Sequence, residues 1–330
     1  MNSTPARFHR KEIALSCLVL GLIFASGCAP RQEPLVLMSS DAQMGRLAQQ
    51  ARTLFDMQRP AQAAPLYEAA LGRARALDND AAIARLAYNL GACRLESGDA
   101  PGAAAAFEEA IHAARAAGLP GEESQLLLGY ALLQQGKTDQ ALILCSTAIK
   151  AIEDRAEPGM RMRFQLLRAE AYLRSDRIDL AEENLQGTVQ QLTPESPAAI
   201  QAQTKRIEGT ILSRRGRSSE SAKLFLREAR FWSLANRPID VTDALIRAAD
   251  EQQKAEEISA EAESRYRAAR ALLSLERGAE ASAQLDRLEH LPKNKWPESL
   301  STLVPLLRQT IDQQRLAPTD RTEAQPSDPI

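Results

Sequence analysis

The chain has 330 residues, with 41 Lys and Arg against 43 Asp and Glu and a formal net charge of −2. That balance excludes the basic footprint of a nucleic-acid binder. Aromatic residues make up only 4% and alanine is abundant, a composition suited to helices that pack through small side chains.

The first element is an N-terminal leader. Arg7, Arg10 and Lys11 precede an apolar stretch from Ile13 to Ala25. At about a dozen residues it is too short to span a bilayer as a stable helix and right for a signal-peptide core. It ends Ala25-Ser26-Gly27-Cys28, which resembles the lipobox of bacterial lipoproteins. The resemblance implies cleavage before Cys28, a thioether-linked lipid on its sulfur, and acylation (palmitate) of the new N-terminus. Removing residues 1–27 takes away Arg7, Arg10, Lys11 and Glu12 and leaves a net charge of −4. Residues 28–39 then read as the lipidated cysteine and a tether. Ala29 follows the cysteine, so the Asp that favours inner-membrane retention in enteric bacteria is absent, and by that analogy the expected location is the periplasmic side of the outer membrane.

From residue 40 the chain repeats. Small residues recur at Ala51, Gly91, Gly129, Ala169 and Gly209, in steps of 40, 38, 40 and 40. Twelve residues after each comes another: Ala63, Ala103, Ala141, Ala181 and Ser221. Four further on stands a larger residue: Tyr67, Phe107, Cys145, Leu185 and Phe225. Locked offsets inside a period near 40 indicate a repeat array, not one globular core, so length does not count domains here. Two antiparallel helices approach closely only where each offers a small side chain, and the large residue one turn later fills the gap above the crossing. Helix boundaries follow the same phase. Pro120, Pro158, Pro197 and Pro238 fall near the starts of first helices, with Asp80 and Ser39-Ser40-Asp41 serving the earlier ones. Gly98, Gly136 and Gly216 are placed to end first helices in a left-handed turn, and Asp99 and Asp139 to cap second helices.

YNLGACRLESGDAPGAAAAFEEA from Tyr88, LLGYALLQQGKTDQALILCSTA from Leu127 and IEGTILSRRGRSSESAKLFLREA from Ile207 resemble tetratricopeptide repeats. ARTLFDMQRPAQAAPLYEAA and RAEAYLRSDRIDLAEENLQGT keep the small-residue pattern without the turn glycine. The resemblance covers about residues 41–235, at a period longer than the family's usual 34. It implies an all-α fold, a right-handed superhelical solenoid of antiparallel helix hairpins, with five repeats over residues 40–235.

Residues 236–316 continue less regularly, as degenerate repeats and capping helices. Ala262, Tyr266 and Ala269 extend the second-helix pattern, but the residue twelve before Ala262 is Asp250, a poor crossing residue. Alternatively the stretch from Arg267 forms its own hairpin around Gly278. Both readings give helices near 239–254, 257–276, 278–291 and 298–315, the last covering the end of the stack. The polar, proline-rich residues 317–330 are expected to be disordered.

No catalytic constellation emerges, so the chain does not read as an enzyme, and no cofactor or metal is implied. After leader removal only His112 and His290 remain, and no zinc-binding spacing or phosphate-binding loop occurs. Cys93 and Cys145 read as buried free thiols. Glu108-Glu109 and Glu182-Glu183 read as solvated helix faces.

The family resemblance implies that first helices line a concave groove for an extended peptide or a partner's helix. Helical geometry places Arg52 and Phe55 there in the first repeat, Tyr88, Asn89 and Ala92 in the second, and Tyr130 and Gln134 in the third. Arg163, Glu170 and Arg174 follow in the fourth, and Arg206, Thr210 and Arg214 in the fifth. The groove residues singled out are Tyr88, Asn89 and Tyr130, with Arg163, Arg174, Arg206 and Arg214 as an anion-attracting row. Asn89 stands where peptide-binding members often hold a ligand backbone; the lysine–asparagine carboxylate clamp is not reproduced. The expected function is a membrane-anchored adaptor or assembly factor for an envelope complex, in pilus or secretion, outer-membrane assembly or peptidoglycan machinery. Its partners would be envelope proteins and, through Cys28, the membrane. The alternative is a solute-binding helical-repeat lipoprotein serving a transporter, with the arginines holding an organic anion.

Overall fold

The computed structural model describes residues 41–152 and 158–316; the leader, Cys28, the tether and the tail from residue 317 lie outside them. Twelve helices form six hairpins. They are α1 (Ala42–Asp56) with α2 (Pro60–Ala76), α3 (Asp80–Glu96) with α4 (Ala100–Ala116), and α5 (Glu122–Gln134) with α6 (Thr138–Ile152). Then come α7 (Pro158–Arg174) with α8 (Ile178–Val189), α9 (Ala198–Arg214) with α10 (Ser218–Leu234), and α11 (Pro238–Lys254) with α12 (Ile258–Ser274). Helices α13 (Gly278–Glu289) and α14 (Leu300–Leu316) finish the stack. Among the described residues there is no strand.

The small-residue pattern marks the helix crossings. Ala51, Ala63, Ala103, Ala141, Ala169, Ala181 and Ser221 are fully buried, as are Phe107 and Cys145. A Cβ on Gly91 would lie 2.6 Å from Cε1 of Phe107, and one on Gly209 would lie 2.7 Å from Cε1 of Phe225. Those rings sit in space that only glycine leaves open. Ser221 uses its hydroxyl at the crossing, donating to the Gly209 carbonyl at 2.8 Å. The third hairpin departs from the scheme. Cys145 is too short to reach over Gly129, and the gap is filled from the next hairpin by Leu167.

Each first helix ends in a left-handed residue followed by a six-to-one backbone bond, such as Asp99 N–H to the Arg94 carbonyl at 2.9 Å. Gly98, Gly136 and Gly216 take that conformation, and Gln58, Asp176 and Glu256 take it where glycine is lacking. Asp99 caps α4 through the Gly102 N–H, and Asp41 caps α1 through Gln43 and Met44. Asn79 caps α3, which begins at Asp80 as expected. One expectation is corrected. Asp139 lies inside the first turn of α6 and pairs with Arg177 at 3.2 Å. Pro65 and Pro305 lie inside α2 and α14, on exposed faces where water can serve the freed carbonyls.

Beyond residue 235 the 40-residue step holds without a shift. Ala249, Glu261 and Arg265 occupy the places of Gly209, Ser221 and Phe225, and all three are buried. The register built on Ala262 and Tyr266 is therefore one residue off. It failed because Glu261 and Arg265 do not look like core residues. Arg265 is fully buried and bonds Glu261 at 2.6 Å, Gln284 at 3.1 Å, Asp250 at 3.2 Å and Gln253 at 3.3 Å. The stack closes where Leu300, Val304, Leu307 and Ile311 of α14 cover Leu285 and Leu288 of α13.

Candidate groove on the first helices

The first helices α3, α5, α7 and α9 pack on one another in turn, and α11 follows in the sixth hairpin. The curl is tight: Arg237 and Asp240 at the start of α11 act electrostatically on Glu96 at the end of α3.

Tyr88 on α3 stands edge-on to Phe107, with ring centroids 6.2 Å apart. The ring that fills the crossing thus props a groove residue. Burial, then the Glu123 carboxylate, raises the Tyr88 hydroxyl above its usual range, against the Arg163 cation. Arg163 on α7 is ion-paired with Glu123 on α5. Tyr130 on α5 comes next. Burial and the Glu170 carboxylate push its hydroxyl up to about 12, against Arg206 and Arg163. Glu170 on α7 accepts from Arg206 on α9 at 2.8 Å and from Arg174 at 2.9 Å. Tyrosine and ion pair therefore alternate across successive first helices.

The structure brings every predicted groove arginine to a carboxylate. Besides the pairs above, Arg174 donates to the Leu133 carbonyl at 2.9 Å and Arg214 pairs with Asp176 at 3.3 Å. Asn89 is half-buried beside Tyr88 and has no hydrogen-bond partner among the described residues. Glu123 was missed by the sequence reading, as were Glu96, Arg237 and Asp240. The signal for Glu123 was present: it lies one period, 40 residues, before Arg163. Opposite charges at a one-period offset pair along the stack, as Asp176–Arg214 and Asp179–Arg215 also do. Glu96 and the start of α11 carry no such signal, because their approach follows from the superhelical curl.

The remaining candidates lie apart from this row. Cys93 and Cys145 are unpaired and buried, and burial pushes both thiols up to about 12. His290 ends α13, with Nδ1 2.5 Å from the Asp286 carbonyl, and His112 is exposed. Glu109 holds Arg75 with both oxygens at 2.7 Å. Glu182 holds Arg215, while Glu108 and Glu183 are exposed. Among the described residues no group of three or more His, Cys, Asp or Glu could hold a metal ion. The lipidation site, Cys28, lies outside the described residues.

Residues 49–120 and 94–158 each match the tetratricopeptide repeat family model. No curated protein matches the chain. Among solved structures, NprR in complex with its cognate peptide NprX is similar at TM-score 0.50 and 13% identity, over 85% of this chain and 76% of that one. Apo RapI is similar at TM-score 0.50 and 8% identity, over 82% and 77%. A tetratricopeptide repeat protein from Parabacteroides merdae matches at TM-score 0.45 and 16% identity, over 81% and 100%. At these identities the likeness is one of fold. Arrays of this kind present an extended concave surface for protein or peptide partners. The matched stretches begin in the first hairpin, and a helix hairpin of the same build recurs through α12, so residues 49–158 are similar to the tetratricopeptide repeat family and the array continues that fold.

Proposed function

We propose that the protein is a lipid-anchored adaptor of the bacterial envelope that holds a protein partner through an extended segment lying in the groove of the first helices. The observation that carries this reading is the alternation of Tyr88 and Tyr130 with charge pairs already neutralised inside the array. Aromatic side chains supply contact area, and Asn89 has free amide capacity to hold a peptide backbone. NprR, which is similar in fold, has been solved in complex with its cognate peptide NprX, which supports a peptide as the kind of ligand. An anion-binding solute pocket is favoured less, because Arg163, Arg174, Arg206 and Arg214 already serve carboxylates.

Anchoring rests on the Ala-Ser-Gly-Cys sequence at residues 25–28. Among the described residues no helix is long and apolar enough to cross a membrane. A single acyl chain holds weakly and several together hold firmly. Delivery to the periplasmic face of the outer membrane, and a place in pilus, secretion, outer-membrane or peptidoglycan assembly, belong to the same proposal. No catalytic role is proposed.

The test has two arms. Cys28→Ser should release the protein from the membrane fraction, and wild-type protein without lipid on its N-terminal peptide would overturn the anchor. Partner captured by the wild type should be lost from Tyr88→Ala, Asn89→Ala and Tyr130→Ala variants at low and high salt alike. The four arginine variants should instead change how binding responds to salt. Unchanged capture by all seven variants of intact helicity, with loss on second-helix substitution, would move the working face to the outside.

A further inference from the structure

The six hairpins are not joined equally. At the joint between the fifth and sixth, Ala229 and Trp232 of α10 lie buried against Ala244 and Leu245 of α11. The connection there is three residues, 235–237. The joint between the fourth and fifth is built otherwise. Helix α8 has 12 residues where α2, α4, α10 and α12 each have 17. Five residues fewer remove roughly 7.5 Å of helix at 1.5 Å per residue. The chain then takes eight residues, 190–197, to reach α9, through a small turn in which Thr193 N–H donates to the Ser196 hydroxyl at 3.0 Å.

The shortened helix leaves a gap. A cleft of about 400 Å³ lies between the C-terminal half of α8 and the next hairpin, floored by Leu185, Val189, Ile211, Leu212 and Leu224. Val189 at its edge is 39% exposed. Packing across this joint centres on α7, with Ala181 and Leu185 of α8 joining the same core. There Met162, Leu166 and Ala169 of α7 share a core with Ile200, Ile207 and Ile211 of α9. The apolar contact thins out towards the end of α8, where the cleft opens.

Three arginines of the fifth hairpin reach back across the joint. Arg206 takes Glu170 at 2.8 Å, Arg214 takes Asp176 at 3.3 Å, and Arg215 takes Asp179 at 2.9 Å as well as Glu182. Asp176 and Asp179 are largely exposed, so the ties they make are screened by salt, while the mostly buried Arg206–Glu170 pair and the apolar α7–α9 contact are screened much less.

We propose that the joint between the fourth and fifth hairpins is a hinge. The α7–α9 layer is its pivot, the cleft beside α8 is the room it closes into, and the arginine ties set its resting angle. Because the ties are electrostatic, ionic strength changes the angle. Because α3 and α11 face each other from opposite sides of this joint, bending there changes the width of the groove between them. Packed interfaces move in this way by small sliding about a few connecting residues. The inference concerns the array itself and stands whether or not the groove binds a peptide.

Double electron–electron resonance on the full chain tests it. Labels at Glu183→Cys on α8 and Lys223→Cys on α10 span the joint, and labels at Glu108→Cys on α4 and Thr147→Cys on α6 span a control joint. Cys17 and Cys28 are replaced by Ser, and the buried Cys93 and Cys145 stay unlabelled. From about 0.01 M to about 1 M salt, where the screening length falls from about 30 Å to about 3 Å, the spanning pair should shift and broaden and the control pair should not. The triple change Arg206→Ala, Arg214→Ala and Arg215→Ala should reproduce the high-salt distribution at low salt. Gln186→Phe, which fills the cleft, should narrow it. A spanning distance that is narrow and indifferent to salt and to both variants overturns the proposal. Equal movement of both pairs also overturns it, since the flexing would then belong to the whole array.

Discussion

The second and sixth hairpins solve one packing problem with opposite chemistry. In the second, Gly91, Ala103 and Phe107 make a crossing with no polar side chain. In the sixth, Ala249, Glu261 and Arg265 hold the same three places, and a guanidinium lies where the phenyl ring would be. The crossing demands volume and burial at that slot, and it accepts a charge only when each donor is answered. Arg265 meets that condition with two carboxylates and two side-chain amides. A buried ion cluster of this kind adds less net stability than an apolar core of equal volume, yet it is costly to break.

That contrast can be broken by substitution at the shared slot. Phe107→Ala should cost about 3–5 kcal/mol through the lost ring and the cavity it leaves. Arg265→Ala should cost about 3–5 kcal/mol for another reason, because Glu261 is left buried without its partner. The distinguishing variant replaces Glu261 and Arg265 together, with Ala and Met. It should recover most of the loss, whereas no second change near Phe107 restores the ring. Chemical denaturation of the variants decides. A double variant no more stable than Arg265→Ala would show that the cluster works as more than a satisfied void-filler.

A smaller effect sharpens the comparison at the turns. Gly98 ends the first helix of the second hairpin in the left-handed region, and Glu256, with φ of 57°, does so in the sixth. A side chain there is strained, so Glu256→Gly should stabilise by about 1 kcal/mol. Gly98→Ala should destabilise by a similar amount. Equal and opposite shifts in melting midpoint would show that the two turns are the same device. No shift in Glu256→Gly would mean that the glutamate side chain offsets its own strain.

Acid should separate the two hairpins by the least. Burial works to raise the Glu251 carboxyl, but hydrogen bonds from Lys254, Ser213 and Ser218 outweigh it and leave it below its usual value of 4.5. A carboxyl depressed in the folded state contributes stability above its unfolded pKa and loses it as pH falls through the folded one. Amide exchange in α11 should therefore quicken below about pH 4.5 before exchange in α3 does, and Glu251→Gln should remove the difference. Exchange that rose together in both helices would place acid sensitivity elsewhere.

The sequence revealed the hairpins and the crossings because both repeat with one period. It revealed the sixth hairpin only in outline. The register there was read from Ala262 and Tyr266, since a periodic reading looks for small and apolar residues, and Glu261 and Arg265 are neither. In the groove, Tyr88, Tyr130 and the arginines were visible as residues one turn off the crossings. Their pairing with Glu123, Glu170 and Asp176 was not seen, because it joins neighbouring hairpins through side chains. Glu96 opposite Arg237 was out of reach. That approach depends on the curl of the whole array, which accumulates from small rotations that no local pattern records.

The ties between neighbouring hairpins have one further consequence. The side-chain bonds between successive hairpins named above span 33–41 residues of chain. A ribosome emits roughly 5–20 residues per second, so the two partners of each such bond appear roughly 2–8 seconds apart. Nothing in this ladder waits for the far end of the polypeptide. Low sequence separation of this kind favours rapid folding that starts in any hairpin and spreads to its neighbours. A stalled or truncated chain that ends after a whole hairpin would keep the hairpins already stacked, with one uncovered face at the break.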